Sequence, residues 1–143
     1  MADSANARTV YEEAFLSSRD PILVHDGHTA DIIRANPAAA TLLDVERSEL
    51  EGEPIGRFGP KDGAFDEAFA RTVAAEVRSG ERESVDWELS LDGEHRYLEV
   101  SLSYVPESDR ILSFIHDVTA LQERETELRR QRRHREAIFN SPS

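Results

Sequence analysis

The amino-acid sequence predicts an α+β fold in which a five-stranded antiparallel sheet carries short helices on one face. Five short runs have strand-like character, two before the longest internal helical segment and three after it, and two of the last three alternate strictly between apolar and polar residues. Turn-forming residues separate the runs within each group, which favours antiparallel pairing of neighbouring strands. The last run, 110–117, passes through Asp117-Val118-Thr119 into a charged helix, so a helical extension leaves the sheet domain.

The N-terminal part of the chain predicts a helix followed by a hairpin. Residues 4–18 have helical spacing of apolar side chains, and Asp20-Pro21 ends the helix. The strand-like runs 22–25 and 31–34 flank Asp26-Gly27-His28, which is a hairpin signal.

Three helical segments follow the hairpin. Asn36 can cap a helix in which Pro37 occupies the first position, where the missing N–H costs no hydrogen bond. Residues 46–60 contain three glycines and two prolines, so only helical turns are expected there. The longest internal helix is predicted over 62–78, with Gly80 as its terminator.

The C-terminal part predicts three strands and a long helix. Residues 85–91 and 98–104 alternate strictly between apolar and polar side chains, and 110–117 is the third strand. Thr119 and Gln122 are spaced as a capping box, which would satisfy backbone donors at the start of the helix. The following stripe at heptad spacing has Glu125, Arg132 and Arg135 at core positions, so an isolated coiled coil would be weak.

Composition excludes several classes of function. The 143 residues include no cysteine, which removes thiol catalysis and thiolate metal sites. The net charge of -12 arises from 29 acidic and 17 basic residues, and it disfavours nucleic-acid binding. Acidic residues are spread along the body, which favours a halophilic source over a surface for a basic partner. No apolar run could cross a bilayer and no signal pattern begins the chain, so we expect a cytoplasmic segment without membrane insertion.

Four segments in the same order and spacing resemble those of PAS domains, and the resemblance covers about Val10 to Leu128. They are Asn36-Pro37-Ala-Ala-Ala, similar to the family's NPAA helix start; Leu50-Glu-Gly52-Glu-Pro-Ile55-Gly56, similar to its ELIGKPL turn; Asp92-Gly93, similar to its DG hairpin; and Asp117-Val118-Thr119, similar to its DIT exit motif before a signalling helix. One departure is Leu43-Asp44-Val45, where the family commonly has a glycine.

The resemblance implies a PAS-like domain organisation. Residues 1–18 form an N-terminal flanking helix, 19–119 form the PAS core, and 120–143 form a signalling or linker helix. Glu136-Ala-Ile-Phe139-Asn-Ser141 echoes Glu12-Glu-Ala-Phe15-Leu-Ser17 at an offset of 124 residues, as though another PAS repeat were beginning.

The function implied by the resemblance is that of a non-catalytic sensory module in a two-component phosphorelay or a related transducer. The expected partners are adjacent PAS or output domains, such as a histidine kinase, and a second copy bound through the flanking helices. A purely structural dimerisation or spacer module without a ligand is the alternative. The sequence contains no nucleotide-binding glycine loop, zinc-protease motif or nucleophile elbow that would indicate an enzyme.

PAS-type folds enclose a space beneath the sheet, and the sequence offers candidate residues to line it. The ligand could be a small aromatic or apolar metabolite, but residues of this kind at helical spacing form hydrophobic core more often than a ligand pocket. Without a cysteine no flavin-cysteinyl adduct can form, and without a histidine in 62–80 the family's usual haem ligand is missing. The candidate pocket residues, of which Asn36 and Tyr104 are polar anchors, are Asn36, Phe58, Phe65, Phe69, Val73, Trp87, Val100, Leu102, Tyr104 and Ile115.

The exit from the sheet is the predicted signal junction, formed by Asp117, Thr119 and Leu121. A change in the core would alter how the outer sheet face holds Phe15 and Leu121, and so rotate or release the helix. His116 is interpreted as a packing histidine on that outer face. His25 and His28 form a His-x-x-His pair without a third ligand nearby, so no metal site is predicted.

Overall fold

The computed structural model describes residues 2–58, 66–91 and 93–139. Its five strands are β1 (Ile22–Asp26), β2 (Ile32–Ala35), β3 (Ser84–Leu91), β4 (Glu94–Val105) and β5 (Arg110–Asp117). The described helices are α1 (Ala2–Ser17), α2 (Pro37–Leu43), α3 (Arg47–Leu50), α4 (Glu67–Ser79) and α5 (Thr119–Phe139), with a 3-10 helix at Ile55–Phe58. The predicted α+β class is confirmed.

The strands form one antiparallel sheet in the order β2-β1-β5-β4-β3. The first and last strands of the chain are neighbours, because β1 pairs with β5 from Ile22↔Phe114 to Asp26↔Arg110. β5 therefore lies at the centre of the sheet and continues directly into α5. A rearrangement of the central strand would reach the exit helix without passing through a loop.

One face of the sheet carries the core. Along β5, Ile111, Ser113 and Ile115 are buried, whereas the alternate residues Leu112 and Phe114 are only half-buried. This period of two is the signature of a strand with one covered face. The buried faces of β3 and β4 and the residues of α2, α3 and α4 complete the same core.

His116 was predicted to pack under the flanking helices, and this expectation is wrong. The residue does lie on the outer face, opposite Glu99 of β4, but its side chain is exposed. Because its side chain is exposed, His116 is not packed beneath a helix.

Local signals explain the ends of α2. The side-chain oxygen of Asn36 accepts the Ala39 N–H at 2.9 Å, and Pro37 occupies the first turn as predicted. The helix ends at Asp44, whose φ of 57° is left-handed and whose N–H bonds the carbonyls of Ala40 and Thr41. An aspartate thus takes the left-handed conformation that glycine commonly takes at a helix end, so the chain can turn here without a glycine.

α4 begins later than the sequence suggested. Asp66 is its cap, with a side-chain oxygen that accepts the Phe69 N–H at 2.8 Å. The predicted start at Asp62 lies outside the described residues. The predicted terminator is confirmed, since Gly80 has a φ of 83° and its N–H returns to the carbonyls of Glu76 and Val77.

The terminal helices are poorly covered by the rest of the chain. Residues 120–136 of α5 are exposed throughout, and so are residues 9–14 of α1. Leu128 of α5 and Tyr11 of α1 are large apolar side chains with more than half of their surface in contact with solvent. None of the described helices is long and apolar enough to span a membrane.

Candidate ligand cavity and exit junction

A small cavity of about 40 Å³ lies between the inner face of the sheet and α4. Its walls are mainly aliphatic, with contributions from β1, β3, β4, β5, α4 and Ile55. Of the ten residues predicted to line a pocket, the cavity brings five together. These five are Val73, Trp87, Val100, Leu102 and Ile115.

The other predicted pocket residues do not line this cavity in the described part of the structure. Phe69 is partly buried and packs against the core beside it. The Tyr104 hydroxyl donates to Asp109 Oδ1 at 2.7 Å, and this bond with burial raises the pKa of Tyr104. The side chain of Phe58 and the whole of Phe65 lie outside the described residues.

Asn36, the other predicted polar anchor, joins three elements by backbone contacts. Its Oδ1 accepts N–H groups of Ile22 at 3.0 Å and of Ala39 at 2.9 Å. Its Nδ2 donates to the carbonyls of Phe15 at 3.1 Å and of Asp20 at 3.0 Å. These four bonds use the amide fully, so Asn36 fastens the end of α1 to β1 and α2.

Two polar residues of the cavity wall were missed by the sequence analysis. His25 of β1 and Ser113 of β5 are both buried, and the His25 Nε2 lies within hydrogen-bond distance of the Ser113 hydroxyl. Strand alternation carried the necessary signal, because His25 is two residues from the buried Leu23, and Ser113 lies between Ile111 and Ile115. The sequence analysis assigned His25 to the strand run 22–25 but weighed its side chain only as half of a His-x-x-His pair beside the turn, so its position on the cavity wall was not predicted.

The contacts of His25 fix its tautomer. Nδ1 is 3.0 Å from the Ala30 carbonyl oxygen, which can only accept, so Nδ1 carries the proton. In the neutral ring Nε2 is then an acceptor, and it accepts a hydrogen bond from the Ser113 hydroxyl. Burial lowers the pKa of His25 from 6.5 to about 4, against smaller opposing effects of the Ala30 carbonyl and Asp31. The ring is therefore neutral at pH 7.

The exit junction is a compact hydrogen-bonded unit between β4, β5 and α5. Asp117 Oδ1 accepts the Thr119 N–H at 3.0 Å and also the Thr119 hydroxyl. The Thr119 Oγ1 in turn accepts the Tyr97 N–H at 2.9 Å, and the Val118 N–H donates to the Tyr97 carbonyl at 2.8 Å. The first turn of α5 is thereby tied to β4.

These contacts correct the expected capping box. α5 begins at Thr119 itself, so Thr119 is not the cap, and its hydroxyl serves Asp117 and Tyr97 rather than the N–H of Gln122. Arg96 reaches Asp117 Oδ2 at 2.8 Å. Burial raises the pKa of Asp117, but the bonds from Thr119 and the Arg96 charge outweigh it, so the net pKa is lowered.

The flanking apolar residues are held unequally. The Arg34 guanidinium lies 4.6 Å from the centre of the Phe15 ring, a cation–π contact that fixes the end of α1. Leu121 is 57% exposed, although it borders the open groove between the first turn of α5 and β3–β4. The predicted contact of Leu121 with the outer sheet face is therefore slight.

The second histidine of the His-x-x-His pair points elsewhere. His28 Nε2 lies 2.9 Å from Asp109 Oδ2 at the exposed surface, whereas His25 is in the core. Within the described residues, no group of three histidine, aspartate or glutamate side chains is placed to hold a metal ion.

A sequence model of the PAS domain matches residues 19–120, which is most of the chain. The chain belongs to the PAS domain family. PAS domains are typically sensory modules without catalytic activity. The comparison with curated protein sequences gives no match.

Solved PAS structures have the same fold. The PAS domain of an HTR-like protein from Haloarcula marismortui is 25% identical, with a TM-score of 0.63 over 79% of this chain and 98% of that one. A domain of a sensory box sensor histidine kinase/response regulator from Geobacter sulfurreducens is 20% identical, with a TM-score of 0.65 over 78% and 94%. The PAS domain of a LuxR-family transcriptional regulator from Burkholderia thailandensis, in complex with ethanol, is 16% identical, with a TM-score of 0.60 over 76% and 96%.

Proposed function

We propose that this PAS domain is a sensory module of a multidomain signal-transduction protein, in which a change in the core reaches an output domain through α5. The observation that carries the proposal is the position of β5. This strand places Ser113 on the cavity wall and Asp117 at the exit junction, four residues apart. At about 3.3 Å per residue, the two sites are roughly 13 Å apart along one continuous strand.

The energetics of the junction suit a switch. It consists of a few hydrogen bonds, each worth about 1 kcal/mol, and residues 123–136 of α5 are exposed. A core change that favours one strand position by a few kcal/mol is enough to shift such an equilibrium. The input in this proposal is a small molecule or a partner-induced change.

The context proposed for the module follows the relatives. The Geobacter sulfurreducens domain belongs to a sensor histidine kinase/response regulator, and the Haloarcula marismortui domain belongs to an HTR-like protein. We assign 19–119 to the sensory core and 120–143 to a linker toward a following PAS or output domain. A halophilic source, suggested by the net charge of -12, and a cytoplasmic location complete this proposal.

A structural dimerisation module is the second candidate, and one observation favours it. α1 and α5 expose Val10, Tyr11 and Leu128, which suits association of the flanking helices between two copies. The two candidates differ in whether occupation of the cavity changes the exit helix.

Xenon provides a test that is independent of ligand chemistry, because small apolar cavities bind it. Amide chemical shifts of the 15N-labelled chain are recorded with and without xenon pressure. We expect changes along β5 that continue through Thr119 into the first turns of α5. If the chemical-shift changes in the native chain are confined to residues of the cavity wall, the structural dimerisation module is favoured instead.

Variants at the junction sharpen the test. Asp117→Ala and Thr119→Ala should each lower stability by about 1 kcal/mol, because the affected side chains are partly exposed. In both variants the xenon response at Ser113 persists while the response beyond residue 119 is lost. Glu127→Ala, on the exposed part of α5, is the matched control and keeps both responses.

A further inference from the structure

The cavity presents one hydrogen-bonding group of defined character in otherwise apolar surroundings. Apart from the indole of Trp87, the polar side chains among its described lining residues are those of His25 and Ser113. His25 is 4% exposed and Ser113 is 3% exposed, so water does not compete freely for either group. A polar pair at such a position orients whatever occupies the space.

The direction of the hydrogen bonds determines what the pair can offer. The Nδ1–H of His25 donates a hydrogen bond to the Ala30 carbonyl, and the Ser113 hydroxyl donates a hydrogen bond to Nε2 of His25. A serine hydroxyl has a single proton, so what Ser113 retains is lone pairs on Oγ. The pair thus accepts a hydrogen bond from an occupant and has no proton left to donate.

We propose that the cavity binds small neutral molecules that carry one hydrogen-bond donor, of the short-chain alcohol class, and that Ser113 accepts the ligand's hydroxyl proton. His25 is the positioning residue, because its Nε2 fixes the direction of the Ser113 hydroxyl. This inference rests on the proposed function in one respect, since it takes the cavity as the input site.

Size and charge narrow the ligand class further. A water molecule needs about 10–15 Å³ of such space, so a cavity of about 40 Å³ admits an occupant of roughly three or four heavy atoms. A carboxylate of that size would lose its hydration in an apolar space and would meet an acceptor there, which is unfavourable. A ketone would place its carbonyl oxygen against the lone pairs of Ser113.

Three molecules with four heavy atoms each separate these cases: propan-2-ol, acetone and acetate. Each is titrated into the 15N- and methyl-labelled chain at pH 7, and binding is followed through the resonances of Ser113, Val100 and Ile115. We expect propan-2-ol to bind with a dissociation constant on the order of 1–10 mM. Acetone and acetate should bind at least about tenfold more weakly, the effect of one hydrogen bond.

Variants test the assigned acceptor. Ser113→Ala should weaken propan-2-ol binding about tenfold, whereas acetone binding should not weaken, because the variant removes the lone pairs that oppose its carbonyl oxygen. Ser103→Ala, a matched substitution at an exposed serine of β4, should leave both unchanged. A 15N spectrum of the His25 ring, which distinguishes the Nδ1–H tautomer, supplies a readout on the native chain that does not depend on the variants folding.

Three outcomes would overturn the inference: acetone or acetate binding as tightly as propan-2-ol, no binding of any of the three, or an Nε2–H tautomer of His25. The proposed function fails separately. If propan-2-ol binds at Ser113 but the amides of Asp117, Thr119 and α5 do not respond, the ligand class stands and the coupling to the exit helix does not.

Discussion

His25 links the stability of the fold to pH through a single buried ring. Its pKa of about 4 in the folded state lies below the ordinary value of 6.5, so the unfolded chain binds more protons between these two values. The contribution of the neutral His25 ring to the unfolding free energy is therefore fully present above pH 6.5 and is lost as the pH drops toward 4. We expect a loss of about 3 kcal/mol in unfolding free energy across this window.

Urea unfolding at a series of pH values measures this loss. The carboxyl groups of Asp26 and Asp117 have pKa values below 3.8, so their contribution is lost only at lower pH and does not obscure the window. His25→Asn, which keeps a donor for the Ala30 carbonyl, should flatten the profile between pH 6.5 and 4. His116→Asn, at an exposed histidine, should retain the native slope, and equal slopes in both variants would refute the assignment.

Asn36 shows what could and could not be predicted at the residue scale. The Asn-Pro dipeptide predicted a helix cap, and the structure confirms it at 2.9 Å to the Ala39 N–H. The other three bonds of the amide connect it to residues 14 to 21 positions earlier, and local spacing contains no information about them. An amide with such contacts fastens elements together, whereas the sequence suggested an anchor for a ligand.

At the scale of elements, the two hairpin turns at one end of the sheet are packed against each other. The Gly27 N–H donates to the Asp109 carbonyl at 3.0 Å, and Arg78 of α4 donates to the Gly27 carbonyl. A Cβ at Gly27 would lie 2.5 Å from Asp109 Oδ1 and 2.7 Å from its carbonyl oxygen. Space, rather than an unusual backbone angle, is what requires glycine here.

Gly27→Ala is therefore expected to destabilise the domain by about 2 kcal/mol, because the backbone of the second turn must move. Thermal and urea unfolding measure the loss. His28→Ala, the neighbouring substitution in the same turn, removes only an exposed side-chain contact with Asp109 and should cost less than about 1 kcal/mol. If the two variants are equally stable, the contact between Gly27 and Asp109 does not contribute to the stability of the domain.

Helices and strands could be predicted from the sequence where the pattern of apolar residues and a terminating residue agree. Alternation identified β3 and β4, the apolar character of 111–115 identified β5, and Gly80 marked the end of α4. The start of α4 was misplaced, because Asp62 and Asp66 are both acceptable caps in the sequence and only the structure selects Asp66. The polar pair of the cavity was also missed. His25 and Ser113 are 88 residues apart, and only the β1–β5 pairing brings them together.

At the scale of the whole molecule, charge and apolar surface oppose each other. The net charge of -12 repels a second copy, while the exposed Tyr11 and Leu128 favour its association. Salt screens the repulsion and leaves the apolar contact in place. We expect a homodimer through the flanking helices whose dissociation constant falls as sodium chloride increases from 50 mM to 1 M, on the order of tenfold.

The charged residues in the core of the heptad stripe on α5 limit this association. Glu125 and Arg132 occupy positions where a coiled coil places apolar side chains, and both are exposed in the single chain. The double variant Glu125→Leu/Arg132→Leu should tighten the dimer at least about tenfold at every salt concentration. Sedimentation equilibrium measures both the salt series and the variants.

The control for this prediction has the same composition on another face of the helix. Glu123→Leu/Arg133→Leu adds the same two leucines and removes the same two charges away from the stripe, so it should leave the dissociation constant close to that of the native chain. Equal tightening by both double variants would mean that added apolar surface alone drives association. A dimer that weakens with salt would locate the contact in ion pairs between the arginines of α5 in one copy and carboxylates of the other, rather than along the helix stripe.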